Sequence, residues 1–202
     1  MKERSVATLL VSVLCVSMFA VTGPATAETT RAASASTRGV AQFRPDQWIK
    51  LCGLSTGCTI DPPPHPWLGN DVYNTNGRRQ RVAVRMEDGE GVRFWLRIES
   101  DGTDADTIRV QGCRSTPRFV INAVLVGKHK RPEWRAKNVT RRFKNGTLEF
   151  DFPGSSTARK FLTLNIVAPT TAEGVTHRCR VTIVSQGDPS STDTVVAIMT
   201  TY

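Results

Sequence analysis

From about Pro45 onward, apolar and polar residues alternate in short runs, and a period of two is the signature of a strand with one buried face. The clearest run is Val92 to Glu99, where every even position is apolar and most odd positions are charged. Runs of the same kind span Gln80 to Met86, Thr107 to Gln111, Phe119 to Val126, Lys160 to Val167, Arg178 to Val184 and Thr194 to Thr200. Each is bounded by Gly, Pro, Asp, Asn or Ser, and Trp48 to Leu51 adds a further strand. The Asn145-Gly146 pair lies between Val139, Arg141 and Phe143 on one side and Leu148, Phe150 and Phe152 on the other, which predicts a tight hairpin. With no helical periodicity between the runs, the pattern predicts an all-β fold, a two-sheet antiparallel sandwich of roughly 7–9 strands. Only Lys130 to Arg142 could hold a short helix, starting near Pro132.

The first residues carry a different pattern. Lys2 and Arg4 precede an apolar run from Val6 to Val21, followed by Gly23-Pro24 and Ala25-Thr26-Ala27. A basic start, an apolar stretch, a helix breaker and small residues at the −1 and −3 positions predict a secretory signal peptide over residues 1–27, cut after Ala27. A retained anchor is the alternative, since the run approaches the roughly 17-residue lower limit for a span; the Gly-Pro and Ala-x-Ala flank argues against it. Residues 28–44 are small, polar and aperiodic, and are expected to form a disordered leader. The β-sandwich domain is then residues 45–202, secreted or cell-envelope associated, with no membrane span after cleavage.

That compartment changes the meaning of the cysteines. Beyond Ala27 there are four, Cys52, Cys58, Cys113 and Cys179, and in an oxidising environment they allow three pairings. Leu54-Ser55-Thr56-Gly57 can turn the chain back on itself, which favours Cys52 with Cys58 and leaves Cys113 with Cys179 by elimination. A metal site would need tighter Cys or His spacing, and none is expected.

Three motifs carry a resemblance. Pro45-Asp46-x-Trp48-Ile49-Lys50, the loop Gly69-Asn70-Asp71-Val72-Tyr73-Asn74-x-x-Gly77, and the turn Asp101-Gly102-Thr103-x-x-Asp106-Thr107 look like those of immunoglobulin-like β-sandwich modules of bacterial secreted and cell-surface proteins. The likeness covers most of residues 45–202. It implies an immunoglobulin-like sandwich that works without catalysis, in a family whose functions are mostly unassigned.

Charge singles out one segment. The chain has 27 Lys and Arg against 18 Asp and Glu; removing residues 1–27 takes away Lys2, Arg4 and Glu3, leaving 25 against 17, a net of +8. Residues 128–144 hold Lys128, Lys130, Arg131, Arg135, Lys137, Arg141, Arg142 and Lys144 against Glu133 alone, a net of +7. All other residues of the mature chain therefore share +1. With Trp134 at its centre, the segment suits a polyanion such as an acidic cell-envelope polymer, anionic lipid headgroups or an acidic polysaccharide. Specific nucleic-acid binding is not expected, because no recognition motif accompanies the charge. The competing reading is a solvated connection that keeps the protein soluble, with Trp134 folded onto the core.

Other candidates each have two readings. The loop from Cys52 to Trp67 is stiffened by Pro62, Pro63 and Pro64, and it could present Pro63 and Trp67 to an extracellular partner, as in an inhibitor-like protein. It could equally just cross between sheets. Trp95 sits on the polar phase of its strand, where a ring could stack on a sugar or be covered by another segment. Asp101, Asp104 and Asp106 around Gly102 resemble a fragment of a calcium loop, or a plain turn into a strand. For catalysis the chain offers no nucleophile beside a base. His65, His129 and His177 fall in separate loops or strands, and no G-x-S-x-G, H-E-x-x-H or P-loop occurs. No catalytic residue, metal or cofactor is expected; a secreted hydrolase is the remaining alternative.

Overall fold

Alternating side chains give each strand one apolar face, and burying those faces against each other requires two layers. The computed structural model describes residues 42–53, 66–127, 136–155, 157–170 and 173–202, all within the unit Arg38–Tyr202. Its strands are β1 (Pro45–Gly53), β2 (Arg81–Met86), β3 (Gly91–Ser100), β4 (Asp106–Gln111), β5 (Val120–Leu125), β6 (Lys137–Asn138), β7 (Leu148–Phe152), β8 (Arg159–Val167), β9 (Thr176–Ser185) and β10 (Thr192–Thr201), with one helix, α1 (Thr140–Asn145). Sheet 1 has the order β1-β3-β8-β5-β6 and sheet 2 the order β2-β10-β9-β4-β7, an immunoglobulin-like β-sandwich. Between them lie Ile49, Phe94, Leu96, Ile98, Ile121, Leu162 and Leu164 from sheet 1 and Met86, Ile108, Phe150, Val181, Val195 and Met199 from sheet 2.

The runs of alternation became strands with small changes of boundary, but three expectations need correction. There are ten strands among the described residues, and β2 pairs with β10 in parallel rather than antiparallel. The predicted hairpin at Asn145-Gly146 is a helix end: Thr140–Asn145 is α1, and Gly146 closes it at φ 66°, ψ 30°. A left-handed residue serves an αL helix cap as well as a hairpin turn, and Val139 and Phe143 are four apart, the spacing of one helical face. Both are buried, and that packing selects the helix. The helix accordingly begins at Thr140 rather than near Pro132.

The Cys113–Cys179 disulfide is present, tying the second residue beyond β4 to β9 with Cα atoms 5.1 Å apart. Cys52 is also disulfide-bonded, while Cys58 lies outside the described residues. Gln42 and Arg44 offer their carbonyls to the backbone of Thr103 and Asp101 beside the start of β1. No helix among the described residues is long and apolar enough to cross a membrane.

Candidate functional site: the arginine face of sheet 2

Each sheet has an outer face, and the two are built differently. On sheet 2 the outward positions of β10 are Thr194, Val196, Ile198 and Thr200, since Val195, Ala197 and Met199 belong to the core. The register places Arg81 of β2 and Arg180 of β9 on either side of Val196, Ala83 and Arg178 on either side of Ile198, and Arg85 and Thr176 on either side of Thr200. Arg81, Arg85, Arg178 and Arg180 are all exposed. Together with Asn76, Arg81, Arg178, Arg180, Val196 and Ile198 line a shallow depression of about 290 Å³. Strand geometry sets Arg81 and Arg180 about 10 Å apart across β10, and Arg178 and Arg180 about 7 Å apart along β9.

Arg81 is held in place by its surroundings. Its Nε donates to the carbonyl of Gly77 at 3.2 Å. That loop lies against β10 because residue 77 has no side chain: a Cβ there would come within 2.5 Å of Val196 Cγ2, and φ is +69°. Asn74 Oδ1 accepts the backbone N–H groups of Asn76, Gly77 and Arg78, closing the turn. The loop is anchored by Asp193, fully buried, which accepts from the backbone N–H of Gln47, Asn74 and Thr194 and from Gln80 Nε2. Burial pushes the Asp193 carboxyl up to about 6 despite those four donors.

No described carboxylate pairs with Arg81, Arg85, Arg178 or Arg180. Arg85 rests over the Tyr202 ring at 5.1 Å. A guanidinium presents a planar fork of donors suited to phosphate, sulfate or carboxylate, so the face is chemically an oxyanion acceptor with an apolar floor.

Sheet 1 pairs the charges of its outer face with one another. Its outward positions give the cross-strand rows Asp46, Glu99 and Arg159; Trp48, Arg97 and Phe161; and Lys50, Trp95 and Thr163. Arg97 makes a bidentate pair with Glu99, stacks 3.8 Å from the Trp48 ring centre, and shares Glu99 with Arg159. Asp46, Glu99 and Asp101 bring carboxylate oxygens within 4.8 Å of one another. Burial, and then the neighbouring charges of Asp101, Asp193 and Glu99, raise the Asp46 carboxyl to about 7 against the pull of the Trp48 indole N–H. Burial together with the hydrogen bond to Asp101 also raises the Tyr73 hydroxyl.

The residues singled out from sequence separate accordingly. Lys137, Arg141 and Arg142 are exposed around β6 and α1, and Lys144 is half-buried with its Nζ on Ser115 Oγ. Lys128, Lys130, Arg131, Trp134 and Arg135 lie outside the described residues, as does Pro63. Trp67 folds onto sheet 1, edge-on to Trp48 at 6.2 Å and 4.6 Å from Lys50 Nζ. Trp95 is only 8% exposed and packs edge-on to Phe161, so its ring is not offered to a sugar. The aspartates of the calcium-like stretch disperse: Asp104 accepts from Gln42 N, Asp106 from Gly187 N, and Asp101 alone joins the carboxylate cluster. The sheet 2 arginines were missed, although their signal was present: each occupies the exposed phase of its own strand.

No family model and no curated protein sequence matches this chain. Among solved structures it resembles part of a family 123 glycoside hydrolase from Clostridium perfringens, with TM-score 0.39 and 8% identity over 60% of this chain. It spans only 22% of that protein. It also resembles the N-terminal domain of PorA, with TM-score 0.36 and 13% identity over 77% of this chain and 96% of that one. PapD-like domain 7 of human CEP192 matches with TM-score 0.31 and 12% identity over 60% of this chain and 79% of that one. Likenesses this distant carry no argument about function.

Proposed function

We propose that the chain is a secreted, non-catalytic binding module of the cell envelope, and that it takes anionic ligands on the outer face of sheet 2. The observation that supports this reading is the set Arg81, Arg178 and Arg180 converging on Val196 and Ile198 with no described carboxylate to neutralise them. The N-terminal pattern of residues 1–27 supports secretion. Lys137, Arg141 and Arg142 of segment 128–144 are exposed and offer a second basic group.

Retention on heparin and on isolated cell envelope across a salt series separates the two surfaces. The R178E/R180E variant should lose retention at every salt concentration, whereas K137E/R141E/R142E/K144E should keep most of it. Retention of the parent protein should fall steeply with salt, since each charge contact is screened. The opposite ranking of the variants would move the site to segment 128–144, and no retention of the parent protein in low salt would end the anionic reading.

A further inference from the structure

Sheet 2 has two edges of opposite charge. At one edge, β2 presents Arg81, Ala83 and Arg85 outward; at the other, β7 presents Glu149 and Asp151 outward, with Leu148, Phe150 and Phe152 in the core. Both acidic residues are exposed, as are the arginines. Opposite charge at two sheet edges is a complementarity within one sequence.

The strand directions also agree. β2 runs parallel to β10, and the steps from β10 to β9, β9 to β4 and β4 to β7 are each antiparallel. Three reversals leave β7 running opposite to β2. A second molecule placed beside the first in the same orientation therefore brings its β7 antiparallel to the first molecule's β2, with the outer faces of both sheets on the same side.

Among the described residues, no hydrogen bond occupies the outer edge of β2. Gln80 O and Met86 O accept from Val196 N and Tyr202 N of the β10 side. Backbone groups alternate sides along a strand, so the N–H and C=O of Arg81, Ala83 and Arg85 point away from the sheet. The same alternation puts their side chains on the arginine face.

We propose that sheet 2 continues between molecules: β7 of one copy docks antiparallel along β2 of the next, with Asp151 opposite Arg81 and Glu149 opposite Ala83, diagonal to Arg85. Cross-strand and diagonal pairs are the contacts by which neighbouring strands recognise each other. On the inner side, the half-buried Val82 and Val84 gain cover from Phe150 and Leu148, which that register sets opposite them. The contact is heterologous, so it repeats along a row of molecules rather than closing a dimer. Strands of six and five residues bury far less than the roughly 1,600 Å² of a standard interface. The association is therefore weak and depends on high local concentration.

Sedimentation velocity of the purified chain, from about 10 μM to about 1 mM, reads a contact of that strength. The parent protein should show a sedimentation coefficient that climbs with concentration. R81E/R85E and E149K/D151K should each stay monomeric, and an equimolar mixture of the two should associate again, because every junction between them joins opposite charges. A83P removes an outward N–H without touching the β10 ladder and should also stay monomeric, with its melting temperature checked alongside. A parent protein that is monomeric throughout, a mixture that fails to associate, or a folded A83P that associates like the parent would overturn the proposal; the edge charges would then serve only to keep sheet edges apart. The R178E/R180E variant should associate normally while losing heparin retention, so failure here and failure of the anionic reading are distinct results.

Discussion

Both outer faces of the sandwich carry arginines on alternate strand positions, yet they spend them in opposite ways. On sheet 1, Arg97 lies between Glu99 and the Trp48 ring and is 11% exposed in its side chain. On sheet 2, Arg178 and Arg180 flank a depression floored by Val196 and Ile198 and have no described carboxylate partner. An arginine that is paired and covered fixes structure, because removing its partner strands a charge away from water. One that is exposed and unpaired contributes little to stability and stays available to a ligand. Residue type alone does not separate the two roles; the neighbours do.

That contrast can be broken first on sheet 1. Replacing Glu99 with Gln should cost about 3 kcal/mol of unfolding free energy by urea denaturation, because Arg97 and Arg159 lose a shared partner. A cost below about 1 kcal/mol would mean the pair acts like a surface ion pair.

The carboxylate cluster predicts a pH dependence. The folded-state value of Asp46 is raised to about 7, so the folded protein holds this proton where the unfolded chain has already lost it. Stability contributed by the protonated group is full below about pH 4 and is lost as pH rises through about 7. Asp193, raised to about 6, acts in the same direction. Asp46→Asn should therefore raise stability more at pH 8 than at pH 5, by about 2 kcal/mol. Thermal melts at the two pH values would show a flattened profile; equal shifts at both would point to a packing effect instead.

The smallest effect belongs to sheet 2. Arg178→Ala with Arg180→Ala should change stability by no more than about 0.5 kcal/mol while removing anion retention. A large loss of stability would show that these side chains cover Val196 and Ile198 as structure rather than present a site.

Most of the strands were legible because alternation is a property of neighbouring residues. The run from Val92 to Glu99 predicts β3 to within one residue at each end. The Asn145-Gly146 pair is ambiguous in sequence because αL geometry at Gly146 fits either a hairpin or a helix cap, and only the burial of Val139 and Phe143 decides between them. Segment 128–144 stands out in the sequence because its charge is contiguous. Elsewhere the remainder of +1 conceals separate populations: basic residues gathered on sheet 2, and acidic residues such as Asp46, Glu99, Asp101 and Asp193 gathered near the start of β1.

The sequence by itself determined the alternation, hence the two apolar layers, and it favoured the Cys113–Cys179 bridge without fixing it among the three possible pairings. Tertiary structure alone decided which charges meet. Arg81 and Arg180 are about a hundred residues apart in the chain, and they face each other only because β2 and β9 both pair with β10 at Val196. Strand formation follows from local periodicity, whereas strand order follows from how the layers pack, and the electrostatic character of a face belongs to that order.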